Sequence, residues 1–321
     1  MTISETAHWL SARDQFLVLT HRRPDGDTLG CAAGLVEGLL EAGKTAYILY
    51  NPEATARYTT YVEKHWAPEG FVPAHIISVD IASQELLPPN AAAFRDNIDL
   101  CIDHHPSNTQ YASSSCIDTT RAACGEIVYE ILMALNGRIS TETATSLYVA
   151  LSTDTGCFAF ANTTSNTLRV AATLVDAGAP IGEINRELFR RKAKSRMMLE
   201  GLITAGMAFY FNGAVAVATV TREMLAQTGA SDNELDDIAS IPGSIEEVIV
   251  GITIREMTDE EGCKVSVRTT PLVNANDLCA RFGGGGHAMA AGFSIKASSE
   301  KTTTLLVDAL GDVFSESHTG K

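Results

Sequence analysis

Acidic and imidazole side chains recur in this 321-residue sequence at four places, each of which follows a short apolar run. The first place holds His21, Asp25 and Asp27 in a segment that Pro24 and Gly26 would turn tightly. One imidazole and two carboxylates suit a hard divalent cation such as Mn²⁺ or Mg²⁺ better than a thiolate site would. Taken alone, the segment fits an ordinary turn better, with Asp27 as the cap of a following helix.

The other three places add Asp80, the adjacent Asp103, His104 and His105, and finally Asp154. Taken singly, Asp80 and Asp154 are explained equally well as caps of a turn or helix. In the histidine pair, one imidazole can bind a metal while its neighbour faces a substrate, and Asp103 can hold an imidazole by a hydrogen bond. The alternative is a polar loop in which histidine happens to repeat. So many acids at one edge would repel one another without cations between them, so the set predicts a metal site.

A run of four glycines followed by His287 is the second candidate site. Its glycines are Gly283, Gly284, Gly285 and Gly286. Their backbone N–H groups can approach a phosphate closely, and residues 288–291 are predicted to begin a helix whose N-terminus favours an anion. Arg268 and Arg281 would add positive charge. A flexible linker is the alternative, but the run lies between a predicted helix and a predicted strand, which favours binding.

Short, nearly continuous apolar runs indicate the strands that must position the N-terminal groups. They occupy residues 15–20, 45–50, 75–80 and 98–103. Helical spacing is found at residues 28–42, 121–136, 141–153 and 164–178, although the end of the third segment also fits a strand. Alternating strands and helices predict an α/β fold with an open, mostly parallel sheet and helices on both faces. Ligand sites in such sheets form at the carboxyl ends of the strands.

The second half of the chain is predicted to form a smaller, mixed α/β domain. Residues 181–210 have a helical, polar pattern and connect the two domains; the basic segment 190–196 within them is typical of a solvated helix face. The later segments comprise strands at 214–220, 247–254, 264–270 and 292–297 and a helix at 274–282. The predicted organisation is therefore a catalytic domain at residues 1–185, a helical linker at 186–211 and a substrate-binding domain at 212–321.

Composition excludes several classes of protein. The net charge of −15 disfavours a clamp for long nucleic acid, which usually presents a basic face. No apolar run approaches the roughly 18 residues of a membrane helix, so no membrane association is expected. The N-terminus lacks the apolar core of a signal peptide, and the seven cysteines are dispersed singly. These features predict reduced thiols and a cytoplasmic location.

The segments HRRPDGD, SVD, DHHP, STDTG and GGGGHAMAAG together resemble those of the DHH/DHHA1 phosphoesterases over nearly the whole chain. Within that family, the likeness is to the group of oligoribonucleases and 3′-phosphoadenosine-5′-phosphate (pAp) phosphatases. The resemblance implies hydrolysis of short 5′-phosphorylated oligonucleotides (nanoRNA, linear dinucleotides such as pApA) to mononucleotides, and of pAp to AMP. It also implies two Mn²⁺ ions, for which Mg²⁺ or Co²⁺ could substitute, and it is compatible with a homodimer.

The resemblance also implies roles for individual residues. It places His21 and Asp25 on one ion and Asp27 and His104 on the other, with Asp80 between the ions. Asp154 is assigned to the second ion but is left open to reach either one. The catalytic pair would be His105, in contact with the scissile phosphate, and Asp103. The substrate's nucleotide or terminal phosphate would be held by Arg268, Arg281, Gly283, Gly284, Gly285, Gly286 and His287.

Three features limit the choice of function within the resemblance. The family's pyrophosphatases lack the glycine run, its large exonucleases are longer, and its membrane-bound cyclic-dinucleotide enzymes have transmembrane segments. One departure is Ile81, where a small or polar residue is expected and where the local pocket could change. A phosphomonoesterase acting mainly on pAp remains an alternative, because it would use the same residues. A nucleotide-binding regulator without turnover is disfavoured by the complete ligand set.

Overall fold

The computed structural model describes residues 1–231, 234–235, 237–258 and 261–316, and side chains up to residue 314. Its chain divides into two compact units, the first of which is Met1–Arg191, while the second begins at Lys192. The predicted limits of the two domains and of the linker stay a prediction. Within the described ranges, no helix is both long and apolar enough to cross a membrane.

The N-terminal unit, all of whose residues are described, contains a five-stranded parallel sheet with the order β2-β1-β3-β4-β5. Its strands are β1 (Phe16–Leu19), β2 (Ala46–Ile48), β3 (His75–Val79), β4 (Leu100–Asp103) and β5 (Ser114–Ile117). The first four fall inside the predicted apolar runs. The fifth was not predicted, because of its four residues only Cys116 is buried, and no apolar run marks it.

Helices cover one face of this sheet and build the main core. They are α1 (Ile3–Ser11), α2 (Gly26–Glu41), α3 (Ala56–Val62), α4 (Cys124–Asn136), α5 (Thr141–Asp154), α6 (Ser165–Asp176) and α7 (Ile181–Asn185). Short 3-10 helices at Gln84–Leu86 and Pro89–Asn97, with their adjoining loops, cover the other face. In β1, Phe16 and Val18 belong to the first core, and Leu17 and Leu19 belong to the second. The predicted α/β fold class is thus confirmed.

The C-terminal unit forms a mixed sheet whose described strands have the order β10-β11-β9-β8-β7-β6. These are β6 (Ala208–Tyr210), β7 (Val215–Val220), β8 (Val250–Glu256), β9 (Cys263–Thr269), β10 (Gly285–His287) and β11 (Ala290–Ile295). Its helices are α8 (Lys194–Ala205), α9 (Arg222–Thr228), α10 (Ala275–Ala280) and α11 (Ser299–Glu316). Only the pairing of β7 with β8 is parallel among these described strands.

Two predicted elements differ from the structure. The helix expected to begin at residues 288–291 is wrong, because His287 pairs with Ala290 and the chain forms a β-hairpin there. A four-residue apolar segment cannot separate a helix start from a hairpin arm, and Gly284 packs tightly against Gly292 of the other arm. The helical pattern of residues 181–210 is also interrupted, since Arg191 is extended and residues 208–210 form β6.

Glycines bring α2 and α5 into close contact and so position the loops at their ends. A Cβ atom on Gly30 would lie 2.5 Å from the carbonyl oxygen of Ser146 and 2.7 Å from the backbone nitrogen of Ala150. A Cβ atom on Gly34 would lie 2.8 Å from a methyl group of Leu147. Backbone atoms cannot yield as a flexible side chain can, so Gly30 is the position at which the helix spacing depends on the missing side chain.

We therefore expect Gly30→Ala to destabilise the N-terminal unit by about 1–3 kcal/mol through overpacking. Urea unfolding followed by circular dichroism would measure the change. Gly182→Ala in α7 is the matched control, because no atom lies within 4 Å of the added Cβ. Equal unfolding midpoints for the two variants would contradict the packing argument.

Candidate metal centre

Four loops and helix ends bring the predicted ligands together at the carboxyl edge of the parallel sheet. His21 follows β1, Asp80 follows β3, and His104 follows β4. Asp25 caps the N-terminus of α2 by accepting hydrogen bonds of 3.1 Å from the backbone N–H groups of residues 27 and 28. Asp154 is the last residue of α5. The sheet topology thus gathers side chains that are far apart in sequence.

Two triads of ligand atoms share this edge. In the first, Nε2 of His21 lies 3.6 Å from Oδ1 of Asp25 and 3.8 Å from Oδ2 of Asp80. In the second, Nε2 of His104 lies 3.8 Å from Oδ2 of Asp27 and 3.6 Å from Oδ2 of Asp154. Within each triad the three ligand atoms are no more than 4.8 Å apart.

Asp80 also links the first triad to the second. Its Oδ1 atom lies 3.5 Å from Nε2 of His104 and 3.5 Å from Nδ1 of His105. The grouping therefore coincides with the two ligand sets that the family resemblance implies, with Asp80 between them. The assignment of each residue to an ion stays a prediction.

Backbone carbonyl groups fix the orientation of both ligand imidazoles. Nδ1 of His21 lies 2.8 Å from the carbonyl oxygen of Arg22, and Nδ1 of His104 lies 3.2 Å from that of Arg121. A carbonyl oxygen only accepts, so the hydrogen in each ring belongs on Nδ1. Nε2 then keeps its lone pair and can bind a cation.

Asp80 provides the test of whether these residues fit a divalent cation. Its carboxylate is buried, and the Oδ1 atom has no hydrogen-bond partner in the structure. Burial, and then the nearby charge of Asp27, raise the pKa of Asp80 well above its ordinary value. Its backbone also has a positive φ of 58°, a strained conformation for this residue. An ionised carboxylate in this position requires positive charge beside it, which a cation would supply.

Asp27 is held by the N-terminus of another helix. The cap residue of α4, Ala123, has no side chain that can accept a hydrogen bond. Asp27 replaces it, since Oδ2 accepts from the N–H of Cys124 at 2.7 Å and Oδ1 accepts from that of Gly125 at 3.1 Å. Burial and the charge of Asp154 nevertheless raise the pKa of Asp27 well above its usual range. Its ionised form is therefore stabilised only in part by the protein itself.

His105 is oriented by a buried aspartate. Its Nδ1 atom donates to Oδ1 of Asp103 at 2.8 Å, and Asp103 is fully buried. This hydrogen bond raises the pKa of His105 and outweighs burial, which acts to lower it. The two members of the predicted catalytic pair are therefore in contact, and their catalytic roles stay a prediction.

Asn108 is a residue of this site that the sequence did not reveal. Its side-chain amide donates to Oδ2 of Asp103 at 2.6 Å and to the carbonyl oxygen of Ile81 at 3.2 Å. It thereby holds both the partner of His105 and the backbone after Asp80. The only sequence signal is an amide three residues after the histidine pair.

Ile81 is the position at which a small or polar residue was expected. Its side chain is fully buried in the second core and fills that core.

The residues predicted to bind substrate lie in the C-terminal unit. Arg268, Gly285 and His287 line an open groove of about 520 Å³ on β9, β10 and β11. Gly283 and Gly284 precede this hairpin, and Gly286 lies within it. Arg281 is not among the groove-lining residues; it donates to the carbonyl oxygen of Ala309 at 2.8 Å and lies 3.6 Å from Asp312. The binding roles of all these residues stay predictions.

Comparison with protein families identifies both parts of the chain. Residues 15–151 match the DHH family, N-terminal domain, and residues 212–316 match the DHHA1 domain.

Individual relatives extend over most of the chain. The bifunctional oligoribonuclease and PAP phosphatase NrnA of Thermus thermophilus is 32% identical, over 87% of this chain and 83% of its own length. The enzyme of the same name from Bacillus subtilis is 28% identical, over 91% and 93%. A crystal structure of an exopolyphosphatase-related protein from Bacteroides fragilis superposes with a TM-score of 0.83 at 21% identity, covering 98% of this chain and 96% of that one, which shows a shared fold.

Cation binding should stabilise the folded protein, because it offsets the charge of the buried carboxylates. At a Mn²⁺ concentration about 100 times the dissociation constant, the expected gain is about 2.7 kcal/mol, seen as a rise in Tm over protein in EDTA. Asp80→Asn should abolish this rise without lowering the Tm in EDTA, since it removes an unpartnered buried charge. Asp96→Asn, at an exposed position, is the matched control. A full Mn²⁺ effect in Asp80→Asn would contradict the assignment of Asp80 as a ligand.

Proposed function

Because the chain belongs to the DHH family and carries a DHHA1 domain, we propose that it is a metal-dependent phosphoesterase with short nucleotide substrates. It hydrolyses short 5′-phosphorylated oligonucleotides, such as the linear dinucleotide pApA, to mononucleotides, and it converts pAp to AMP. The relatives that carry the name of bifunctional oligoribonuclease and PAP phosphatase support this choice of substrates.

The observation that carries the proposal is the pair of triads joined by Asp80. Its neighbours His21, 3.8 Å away, and His104, 3.5 Å away, belong to different triads. Ligand sets of this kind, made of aspartate and histidine, suit a pair of Mn²⁺ ions, for which Mg²⁺ or Co²⁺ could substitute. When bound, such a pair lowers the pKa of water and neutralises charge on a phosphate.

The chain's own residues orient and charge the reacting groups. His105 is positioned by its hydrogen bond to Asp103, so it can donate a hydrogen bond to negative charge that develops on the phosphate oxygens. Asp25 and Asp27 enter from the first turn of α2, where the backbone N–H groups already favour negative charge. The carbonyl groups of Arg22 and Arg121 keep the ligand nitrogens of His21 and His104 available.

The groove of the C-terminal unit is the proposed anchor for the nucleotide or its terminal phosphate. Gly285 and Gly292, which pair across β10 and β11, line its floor with bare backbone, and Lys264, Arg268 and His287 lie along it. Backbone approach combined with basic side chains favours a phosphate group.

The other parts of the proposal follow from composition and resemblance. The net charge of −15 favours short substrates over long nucleic acid. The seven cysteines are all free thiols in the structure, which supports a cytoplasmic location. The family resemblance supports a homodimer.

Two alternatives use the same site. A phosphomonoesterase acting mainly on pAp needs the same ligands and the same anchor. A non-catalytic, nucleotide-binding regulator is disfavoured, since His21, Asp25, Asp27, Asp80, His104 and Asp154 are all present and grouped.

Turnover by the purified full-length protein with Mn²⁺ would separate these functions. The substrates are pApA, pAp, a cyclic dinucleotide and pyrophosphate, and the expected products of pApA and pAp include AMP. Asp80→Ala should be silent on every substrate, because it removes the residue that links the two triads. His105→Asn should lower kcat by about 10²–10³-fold, as expected for loss of a group that stabilises developing charge.

His8→Asn, which changes an exposed histidine of α1, is the matched control and should keep wild-type rates. Cleavage of pAp without cleavage of pApA would favour the phosphomonoesterase. Cleavage of pyrophosphate alone, or nucleotide binding without any turnover, would refute the proposal.

A further inference from the structure

The loop that follows Asp154, a residue of the second triad, carries an exposed phenylalanine. Helix α5 ends at Asp154, and the next helix begins at Ser165. Within this loop the side chain of Phe160 is 59% exposed. Single exposed apolar side chains are common and need no explanation by themselves. The backbone that holds this one, however, is strained.

Three successive residues of the loop have a left-handed backbone. The φ angles of Gly156, Cys157 and Phe158 are 56°, 57° and 66°. For a bulky residue such as phenylalanine, this conformation is a genuine outlier and persists only where its surroundings enforce it. Thr155, which is buried, enforces it here: its Oγ1 accepts from the N–H of Phe158 at 3.1 Å, and its carbonyl oxygen accepts from that of Phe160 at 3.0 Å.

This backbone sends two phenylalanines to different environments. The ring of Phe158 packs against that of Tyr148, with a centroid distance of 5.8 Å. The ring of Phe160 instead lies against Gly156, where a Cβ atom would be only 2.4 Å from the ring. The position of the Phe160 ring is therefore defined by its packing against Gly156, which lies two residues after Asp154.

The loop is also attached to the ligands of the second triad. The side-chain amide of Asn162 donates to the carbonyl oxygens of Asp154 and Ala122, both at 3.1 Å. Ala122 follows Arg121, whose carbonyl oxygen orients the imidazole of His104. The loop that carries Phe160 is thus hydrogen-bonded to the backbone of Asp154 itself and of the residue next to Arg121.

The other exposed aromatic residue in the N-terminal unit, which is described throughout, already has a ring partner. Tyr50 is 56% exposed and makes an edge contact with Trp66, at a centroid distance of 5.5 Å. Phe160 has no aromatic partner in that unit. Nucleobases stack on such rings whatever their identity, because every base has a π face.

We propose that Phe160 is the surface on which the base of the bound nucleotide stacks. The inference rests on the proposed function for its ligand, a nucleotide whose phosphate occupies the metal centre. It makes Phe160 a determinant of binding for the base, and it predicts little preference among the four bases.

Direct binding measurements on the Mn²⁺-loaded, full-length protein test the proposal without requiring turnover. The two ligands are AMP and ribose 5-phosphate, which lacks the base. The wild type should bind AMP more tightly. Phe160→Ala should weaken AMP binding by about 5- to 150-fold and change ribose 5-phosphate binding by less than about 2-fold. Phe160→Tyr keeps an aromatic ring and should keep the preference for AMP.

Leu168→Ala in α6 is the matched control, because Leu168 is 52% exposed in the same unit. An AMP affinity lowered no more by Phe160→Ala than by Leu168→Ala would overturn the inference. The inference would also be overturned if Phe160→Ala weakened the binding of AMP and of ribose 5-phosphate equally, or if the wild type bound both ligands with the same affinity. A Phe160-dependent preference in a protein that cleaves neither pApA nor pAp would refute only the proposed function; turnover with no effect of Phe160 would refute only the inference.

Discussion

The structure depends on holding several carboxylates together at one edge of a parallel sheet, where they repel one another. Asp27 and Asp80 are buried, and burial together with neighbouring acids raises the pKa of both. Part of this negative charge is stabilised by backbone N–H groups. These are the N–H groups in the first turn of a helix, which have no hydrogen-bond partner within the helix. Asp25 caps α2 from its own chain segment, and Asp27 caps α4 from a distant one. Asp80 has no such donor on Oδ1, which makes it the residue whose charge most needs a cation.

This arrangement couples the candidate metal centre to the packing of the domain. Because Asp27 belongs to the second triad and also caps α4, the position of that helix and the geometry of the triad are coupled. The contact of Gly30 with the backbone of α5 sets the spacing between α2, which begins near Asp27, and α5, which ends at Asp154. Glu126, a fully buried residue of α4, also connects helix α6 to this region. It accepts hydrogen bonds from the N–H of Ala122 at 3.2 Å and from the hydroxyl of Thr167, in α6, at 2.7 Å. Geometry at the edge therefore follows from contacts well outside it.

Sequence could predict four of the five strands of the N-terminal unit, and the acidic and imidazole side chains that gather at their ends, because each signal is local. A buried parallel strand has a continuous apolar run, and its last residue marks the edge at which a ligand can lie. The strand β5 was missed because its serines are typical of a loop. Asn108 was missed because its role arises from contacts with Asp103, at the end of β4, and with Ile81, in the segment after β3. Within the hairpin of β10 and β11, residues 288–291 were expected to begin a helix, since Ala and Met favour one, whereas the strand predicted at 292–297 overlaps β11. Strand pairing and hydrogen bonds between residues far apart in sequence were thus the features that the sequence could not predict.

Part of the backbone strain in the described residues lies at this edge, although residues elsewhere, such as Gln15, Phe211 and Asn212, also have positive φ angles. Asp80 has a positive φ immediately before Ile81, whose carbonyl oxygen accepts from Asn108 and from the hydroxyl of Tyr111 at 2.9 Å. Cys157 and Phe158 have positive φ angles just after Asp154, and hydrogen bonds to Thr155 hold the second of them. A backbone chosen only for stability would relax such residues, because each costs on the order of 1–3 kcal/mol. Strain retained at Asp80 and just after Asp154, and held by hydrogen bonds, is consistent with a need to fix what each loop presents at the candidate metal centre.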